Sequence, residues 1–307
     1  HQALQNQSGS SGIASDNTAI GANAGEDVTT ATRLTLVGSS AGKDITTGGY
    51  STMMGWRSGY NTTTGASNTF LGNYAGHTNT TGYDNIAVGG STMYGGTVAH
   101  DNVAVGNDAL YNIGKTAAAG DSVGVGNGAG KYATGSYNTF VGSSAGLGGT
   151  TSAPYSSGIN NTAVGYQALK SFTTIGGITA VGYQSLTALT TGVGNSGFAD
   201  RTLKLLTTGQ YNTALGNQAM ENTVDGTRNT AVGYQAGSYV LNDYNTAVGF
   251  NAGKTMSGSH NTFVGKEAGL GGGGTSAPHS SGQYNTSVGS EALKGTTTAN
   301  YNVAIGY

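Results

Sequence analysis

The feature that most constrains this chain is a glycine that returns, behind an apolar residue, from one end to the other. Aligned on it, the sequence supplies Gly21, Gly38, Gly55, Gly72, Gly89, Gly106, Gly126, Gly142, Gly165, Gly182, then Ala199 in its place, and Gly216, Gly233, Gly249, Gly265, Gly289 and Gly306. Of the 16 intervals between these 17 anchors, ten are 17 residues long. A fixed period of this kind predicts a solenoid, in which each coil stacks on the one before. An active site needs one constellation of residues in one place, whereas phrases such as "NTAVGYQAL" (Asn161 to Leu169) are rewritten along the whole chain.

Each position of the phrase predicts a structural role. The residue before the anchor is apolar in all 17 copies, and Thr stands two residues earlier in 12 of them. Residues at i and i+2 of a strand share a face, so Thr or Val plus Val is expected to form the inward stripe. The residue between them is usually Ala, with Phe70, Phe140 and Phe263 as exceptions. The third residue after the anchor is always Ala, Ser or Thr, which would let a second short strand lie close to the first. The fourth is Gly, Leu or Met. Gly there predicts a positive-φ turn, and Leu169, Leu186, Leu203 and Leu293 would plug a wider coil.

Four residues before the anchor comes Asn in 13 of the 17 copies. Twelve of these, Asn17, Asn68, Asn85, Asn102, Asn138, Asn161, Asn212, Asn229, Asn245, Asn261, Asn285 and Asn302, define a candidate ladder, each amide bonding to the copies above and below. An isolated turn Asn is the alternative, and it too is structural.

The expected fold is all-β: a parallel β-solenoid, or β-roll, of about 17 coils filling residues 1–307 as one repetitive domain. At ~4.8 Å per coil it would form a rod of roughly 80 Å. Such a rod buries little apolar volume per coil, so association of several chains along an apolar face is expected. Two coils carry insertions, at 147–159 and 270–283, expected as projecting loops that hold both prolines, Pro154 and Pro278. Both termini fall inside a phrase, "HQAL" at one end and "AIGY" at the other. This predicts a window on a longer polypeptide, or end-to-end stacking into a filament.

Composition removes several function classes. There are 56 Gly but only 2 Pro, and no Gly at every third position, which excludes collagen. Disordered chains carry more charge than the 8% here and fewer β-branched residues. A formal net charge of −2 with no Lys/Arg run argues against nucleic acid. No apolar run reaches the ~20 residues of a membrane span, and the absence of Cys removes disulfides and thiolate metal sites.

The phrases "DNVAVG" (Asp101 to Gly106), "YNVAIG" (Tyr301 to Gly306) and "DNTAIG" (Asp16 to Gly21) resemble the head repeats of YadA-like trimeric autotransporter adhesins. The "NTAVGYQAL" wording resembles related repeats of bacterial surface proteins and phage tail fibres. The resemblance implies a left-handed parallel β-roll, association of three chains, and a stiff extracellular surface that adheres to host molecules. The period of 17 is longer than that of the adhesin coil.

Candidate chemistry is sparse. "GVGNGAG" (Gly124 to Gly130) and "GFNAGKT" (Gly249 to Thr255) look like nucleotide loops, but both lie in register with the repeat and neither leads into a helical pattern. His1, His77, His100, His260 and His279 fall in different coils without metal spacing. Asp16, Asp84, Asp101 and Asp121 would align into a weak calcium edge, although turn chemistry explains them more simply. No pair of carboxylates stands out as a glycosidase would require, so the chain is not read as an enzyme, and no cofactor or metal is expected.

Tyr carries more weight. Tyr137, Tyr211, Tyr244, Tyr284 and Tyr301 precede the ladder Asn, and Tyr166, Tyr183, Tyr234 and Tyr307 follow the anchor. Aromatics in register predict ridges for packing against a neighbouring chain or stacking on sugar rings. Asn61, Asn79 and Asn285 open glycosylation triplets that arise by chance in so Asn- and Thr-rich a chain.

The leading expectation is a non-enzymatic extracellular or cell-surface fibre or adhesin segment that self-associates into a homotrimer or filament, with surface glycans or host matrix as partners. The alternative is a shaft or receptor-binding segment of a phage tail fibre. Ice binding by a Thr array is a third reading, set aside because Thr is expected to share a face with buried Val; outward Thr18, Thr69 and Thr162 would revive it.

Overall fold

A computed structural model of the chain describes residues 2–7, 16–115, 118–149, 155–239, 242–271 and 281–307. The loop prolines Pro154 and Pro278, and also His1 and His279, lie outside the described residues. The chain divides into two compact units, His1–Asn160 and Asn161–Tyr307. The first carries eight strands of three residues, from β1 (Thr18–Ile20) to β8 (Thr139–Val141), and the second nine, from β9 (Thr162–Val164) to β17 (Val303–Ile305).

Within each unit consecutive strands pair in parallel, and the repeat sets the register: Thr18 faces Thr35, Thr179 faces Thr162, and Val232 faces Val248. The architecture is thus a parallel β-solenoid with a period of 17 residues, and no helix occurs among the described residues. Each strand is fastened at both ends: Thr18 N–H donates to Leu34 C=O of the following coil at 2.8 Å, and Gly38 N–H to Ile20 C=O of the preceding one at 2.7 Å.

The anchor position needs glycine for two reasons. At Gly216 φ is +131°, outside the range of ordinary L-residues, and a Cβ there would stand 2.5 Å from Gly233 O in the next coil. Ala199, the one departure, is held at φ +116°.

Two expectations are corrected. The inward residue of the strand is its middle one, not the Thr and Val that flank it. Leu36, Met53, Phe70, Ala104 and Ala214 are fully buried, while Met54 is 43% and Leu215 is 49% exposed. The coil is too thin to hold two branched side chains per strand, so it encloses the single middle position and turns the pair outward. Thr18, Thr69 and Thr162 are therefore on the outer face, Thr18 exposed and the others half-buried.

The second correction concerns the stretch after the anchor, which is not a strand. Its second and fourth residues both have positive φ, as in Gln167 (+55°) and Leu169 (+50°), or Asn23 (+56°) and Gly25 (+61°). A strand requires negative φ throughout. Here turns close within the coil, as in Ala24 N–H to Gly21 C=O at 3.4 Å and Val28 N–H to Gly25 C=O at 3.2 Å. They alternate with bonds to the next coil, such as Gly25 N–H to Ala41 C=O at 3.0 Å.

The core follows a simple volume rule. Coils with a large middle residue (Leu36, Met53, Phe70, Phe140, Phe263) have Gly at the fourth place after the anchor (Gly42, Gly59, Gly76, Gly146, Gly269). Coils with Ala or Gly in the middle often place Leu or Met there instead, as with Ala163 and Leu169 or Gly197 and Leu203. Bulk at one of these two positions and not at both suits the close-packed interior expected of a protein.

Candidate functional site

The candidate functional features are the columns that run across successive coils. The buried column is asparagine. Asn85 Nδ2 donates to Asn68 Oδ1 at 3.0 Å, and Asn102 Nδ2 to Asn85 Oδ1 at 3.1 Å. In the second unit Asn195 Oδ1 accepts from Asn212 Nδ2 at 3.0 Å and Asn212 Oδ1 from Asn229 Nδ2; Asn229 Oδ1 accepts the backbone N–H of Asn245, and side-chain bonds resume from Asn245 through Asn261 and Asn285 to Asn302.

The same amides also accept a backbone N–H and donate to a carbonyl of the next coil, as Asn212 does with Asn229 N–H and Gly226 C=O. Asn17, Asn138 and Asn161 fasten neighbouring backbone instead, donating to Ala31, Gly158 and Ile175 C=O. Every bond is internal, so the column presents no group to a ligand. A threonine column, unremarked in the sequence reading, does similar work: Thr46, Thr63 and Thr80 hydroxyls donate to the carbonyls of Thr63, Thr80 and Thr97.

The tyrosines sort into registers, and the face-to-face stacks lie within a register. Before the ladder Asn, Tyr211, Arg228, Tyr244, His260, Tyr284 and Tyr301 form one column. Arg228 lies 5.7 Å from the Tyr211 ring and 5.3 Å from that of Tyr244, to whose hydroxyl it also donates. Ring centroids then follow at 4.9 Å (Tyr244 to His260), 4.8 Å (His260 to Tyr284) and 5.0 Å (Tyr284 to Tyr301), all stacked. After the anchor, Tyr166 stacks on Tyr183 at 5.4 Å and Tyr234 on Phe250 at 5.3 Å. Tyr137, 59% exposed, shares its register with Asp121 and Asn160 of the adjoining coils, and Tyr307 is 95% exposed.

The faces of Tyr244, His260 and Tyr284 are covered on both sides by their neighbours. Stacking a sugar on a ring requires a free face, so these three rings offer only edges and, for the two tyrosines, hydroxyls.

Sequence reasoning missed a third register, five residues after the anchor. Lys43, Tyr60, His77, Tyr94, Tyr111 and Lys131 form a column with ring centroids 5.4, 4.8 and 5.1 Å apart and an ammonium beside each terminal ring. The signal was present, since residues 60, 77, 94 and 111 are spaced by the repeat itself. Tyr74 packs edge-on against His77 and Tyr94, and Trp56 against Tyr74 at 4.7 Å. Arg57 covers both Trp56 and Tyr60.

Burial, with the Arg57 guanidinium as second cause, holds the His77 imidazole below its ordinary range, and neither ring nitrogen has a hydrogen-bond partner. The Tyr111 phenol is pushed up, chiefly by burial. Lys131 is held above the usual ammonium value by its 2.8 Å hydrogen bond to Asp108.

The remaining candidates are placed but not assembled. Asp84, Asp101 and Asp121 occupy one exposed register in successive coils, with Asp101 Oδ2 accepting from His100 Nδ1 at 3.0 Å, while Asp16 stands in the same register four coils before Asp84, separated from it by Arg33, Tyr50 and Ser67. Among the described residues no three His, Cys, Asp or Glu side chains gather as a metal would need. Gly124 to Gly130 and Gly249 to Thr255 run from strand or anchor into the turns, with no helix to receive a phosphate. Of the glycosylation triplets, those at Asn79 and Asn285 have a buried Asn, closed to modification. No helix among the described residues is long and apolar enough to cross a membrane. No protein-family model, curated protein or solved structure matches this chain.

Proposed function

We propose that this chain is a non-enzymatic structural segment of an extracellular or cell-surface fibre or adhesin, whose coils supply length, stiffness and a lateral surface for assembly. The observation that carries the reading is the outer face of the strands. Across all 17 strands the two outward positions hold Thr, Ser, Val, Ile, Leu, Met or Phe and never a charge. Ile20, Met54, Ile86, Leu215 and Val288 are each at least 40% exposed. An uncharged, repeating face with exposed apolar side chains is the kind of surface that a partner covers.

The partner we infer is further copies of the chain, as a homotrimer or filament, in keeping with the resemblance to YadA-like heads. Surface glycans or host matrix would then meet the sides left free. Sedimentation over a range of concentrations tests this: Val232→Lys with Val248→Lys on the outer face should convert assemblies to single chains. A wild-type chain that stays single at every concentration overturns the reading. Electron microscopy of native material separates a cell-surface fibre from the phage tail-fibre shaft, which would use the same architecture.

The outward Thr column favours a second reading, ice binding, because the objection to it was an inward Thr. In the second unit Thr holds this register in seven of nine strands. Inhibition of ice recrystallisation, lost on Thr230→Tyr with Thr246→Tyr, would support it. The irregular heights of Phe198 and Leu215 beside that column weigh against a flat lattice match.

A further inference from the structure

The chain has 18 Tyr and no Cys, and the fold sets some of those tyrosines ring over ring. Tyr284 and Tyr301 stack at 5.0 Å with planes 1° apart and are 45% and 77% exposed. Tyr166 and Tyr183 stack at 5.4 Å and 16°, at 45% and 47% exposure, whereas Tyr94 and Tyr111, stacked at 5.1 Å, are both more buried and less open to an oxidant. We propose that these two pairs are sites of oxidative cross-linking, at which a one-electron oxidant joins successive coils through a dityrosine bond. The inference does not depend on the proposed fibre function.

The chemistry needs two phenoxyl radicals side by side. Each phenol gives one electron to the oxidant, a peroxidase intermediate or a photo-excited metal complex, and its phenolic proton to water. Spin density on the ring carbons ortho to oxygen lets the two radicals combine, forming one Cε–Cε bond. Each coupled carbon then gives up its hydrogen as a proton while its ring oxygen takes one up, restoring both aromatic rings. In sum, two tyrosines lose two electrons and two protons. Holding the reactants together makes the coupling effectively unimolecular, and exposure admits the oxidant.

The column also dictates which pairs do not couple. Arg228 stands between Tyr211 and Tyr244, and His260 between Tyr244 and Tyr284, so neither of those tyrosine pairs is adjacent. The stacking partner of Tyr234 is Phe250, which has no phenol. Four tyrosines in one column therefore yield a single intramolecular link.

Brief visible-light oxidation of dilute folded chain with ruthenium tris-bipyridine and persulfate, followed by tryptic mass spectrometry, tests this. Cleavage at Lys266 and Lys294 separates Tyr284 from Tyr301, and cleavage at Lys170 separates Tyr166 from Tyr183. The expected products are the 284–301 and 166–183 links, at a yield at least roughly tenfold above that of the chain in denaturant. Tyr301→Phe should remove the first and keep the second, Tyr166→Phe the reverse, and His260→Tyr should add links to Tyr244 or Tyr284. Equal yields from folded and denatured chain, links at random pairs, or only covalent dimers would each overturn the proposal.

Discussion

Phe70 and Gly76 share one volume: a Cβ on Gly76 would lie 2.5 Å from Cδ2 of the Phe70 ring. The same two places in another coil are held by Ala163 and Leu169, with the bulk transferred from the strand to the turn and the positive φ kept. Between these two positions, bulk at one takes the place of bulk at the other.

That exchange can be tested directly. Gly76→Ala should cost about 2–4 kcal/mol through overpacking and backbone strain. Phe70→Ala should cost about 3–5 kcal/mol through the cavity it leaves. Combining Phe70→Ala with Gly76→Leu should regain most of that second loss, read from denaturant midpoints. A double variant no more stable than Phe70→Ala alone would refute the volume rule.

Asn212 accepts from Asn229 and donates to Asn195 and Gly226 while fully buried. Asn212→Ala strands several partners and should cost about 2–4 kcal/mol. Asn212→Ser should cost less, because Ser51 and Ser122 fill this place elsewhere and their hydroxyls still accept from Asn68 and Asn138 N–H. Asn212→Asp buries a carboxylate with no proton to donate to Gly226 C=O and should be the worst of the three. Thermal unfolding of the series gives the order.

Ala199 offers a substitution of the opposite sign. It adopts φ +116°, a conformation nearly confined to glycine. Ala199→Gly should therefore stabilise the fold by about 1–2 kcal/mol despite the added freedom of the unfolded chain. A lower melting temperature for that variant would show that the site is unstrained.

His77 should make stability depend on pH. Its folded value lies below the ordinary imidazole value of about 6.5, so the unfolded chain binds the proton first. The stability is fully present above about pH 6.5 and is lost as pH falls toward and through the folded value. His77→Phe keeps a ring between Tyr60 and Tyr94 and removes the titration. Denaturant midpoints from about pH 7.5 to 5 should fall for the wild type and less for the variant; parallel slopes would sink the argument.

Much of the architecture was legible because a solenoid writes its period into the chain. The anchor needs Gly for the same backbone reason in every coil, and the Asn bonds its own copies, so both recur and can be read by alignment. The aromatic column of Tyr60, His77, Tyr94 and Tyr111 was equally periodic but hidden by its mixed residue types and its place in the variable part of the phrase.

The strand's inward face was not legible. Three residues offer one alternation, and the usual preference for burying Val over Ala pointed to the wrong side. Only the stacked coil, with its interior one side chain wide, reverses that preference by admitting the middle residue and turning Thr and Val out. Sequence alone determined the period, the anchor and the ladder, since each depends on identical residues meeting copies of themselves. Tertiary structure decided which face is buried, which rings touch and which tyrosines an Arg or a His holds apart, because these depend on distances between coils that no single phrase contains.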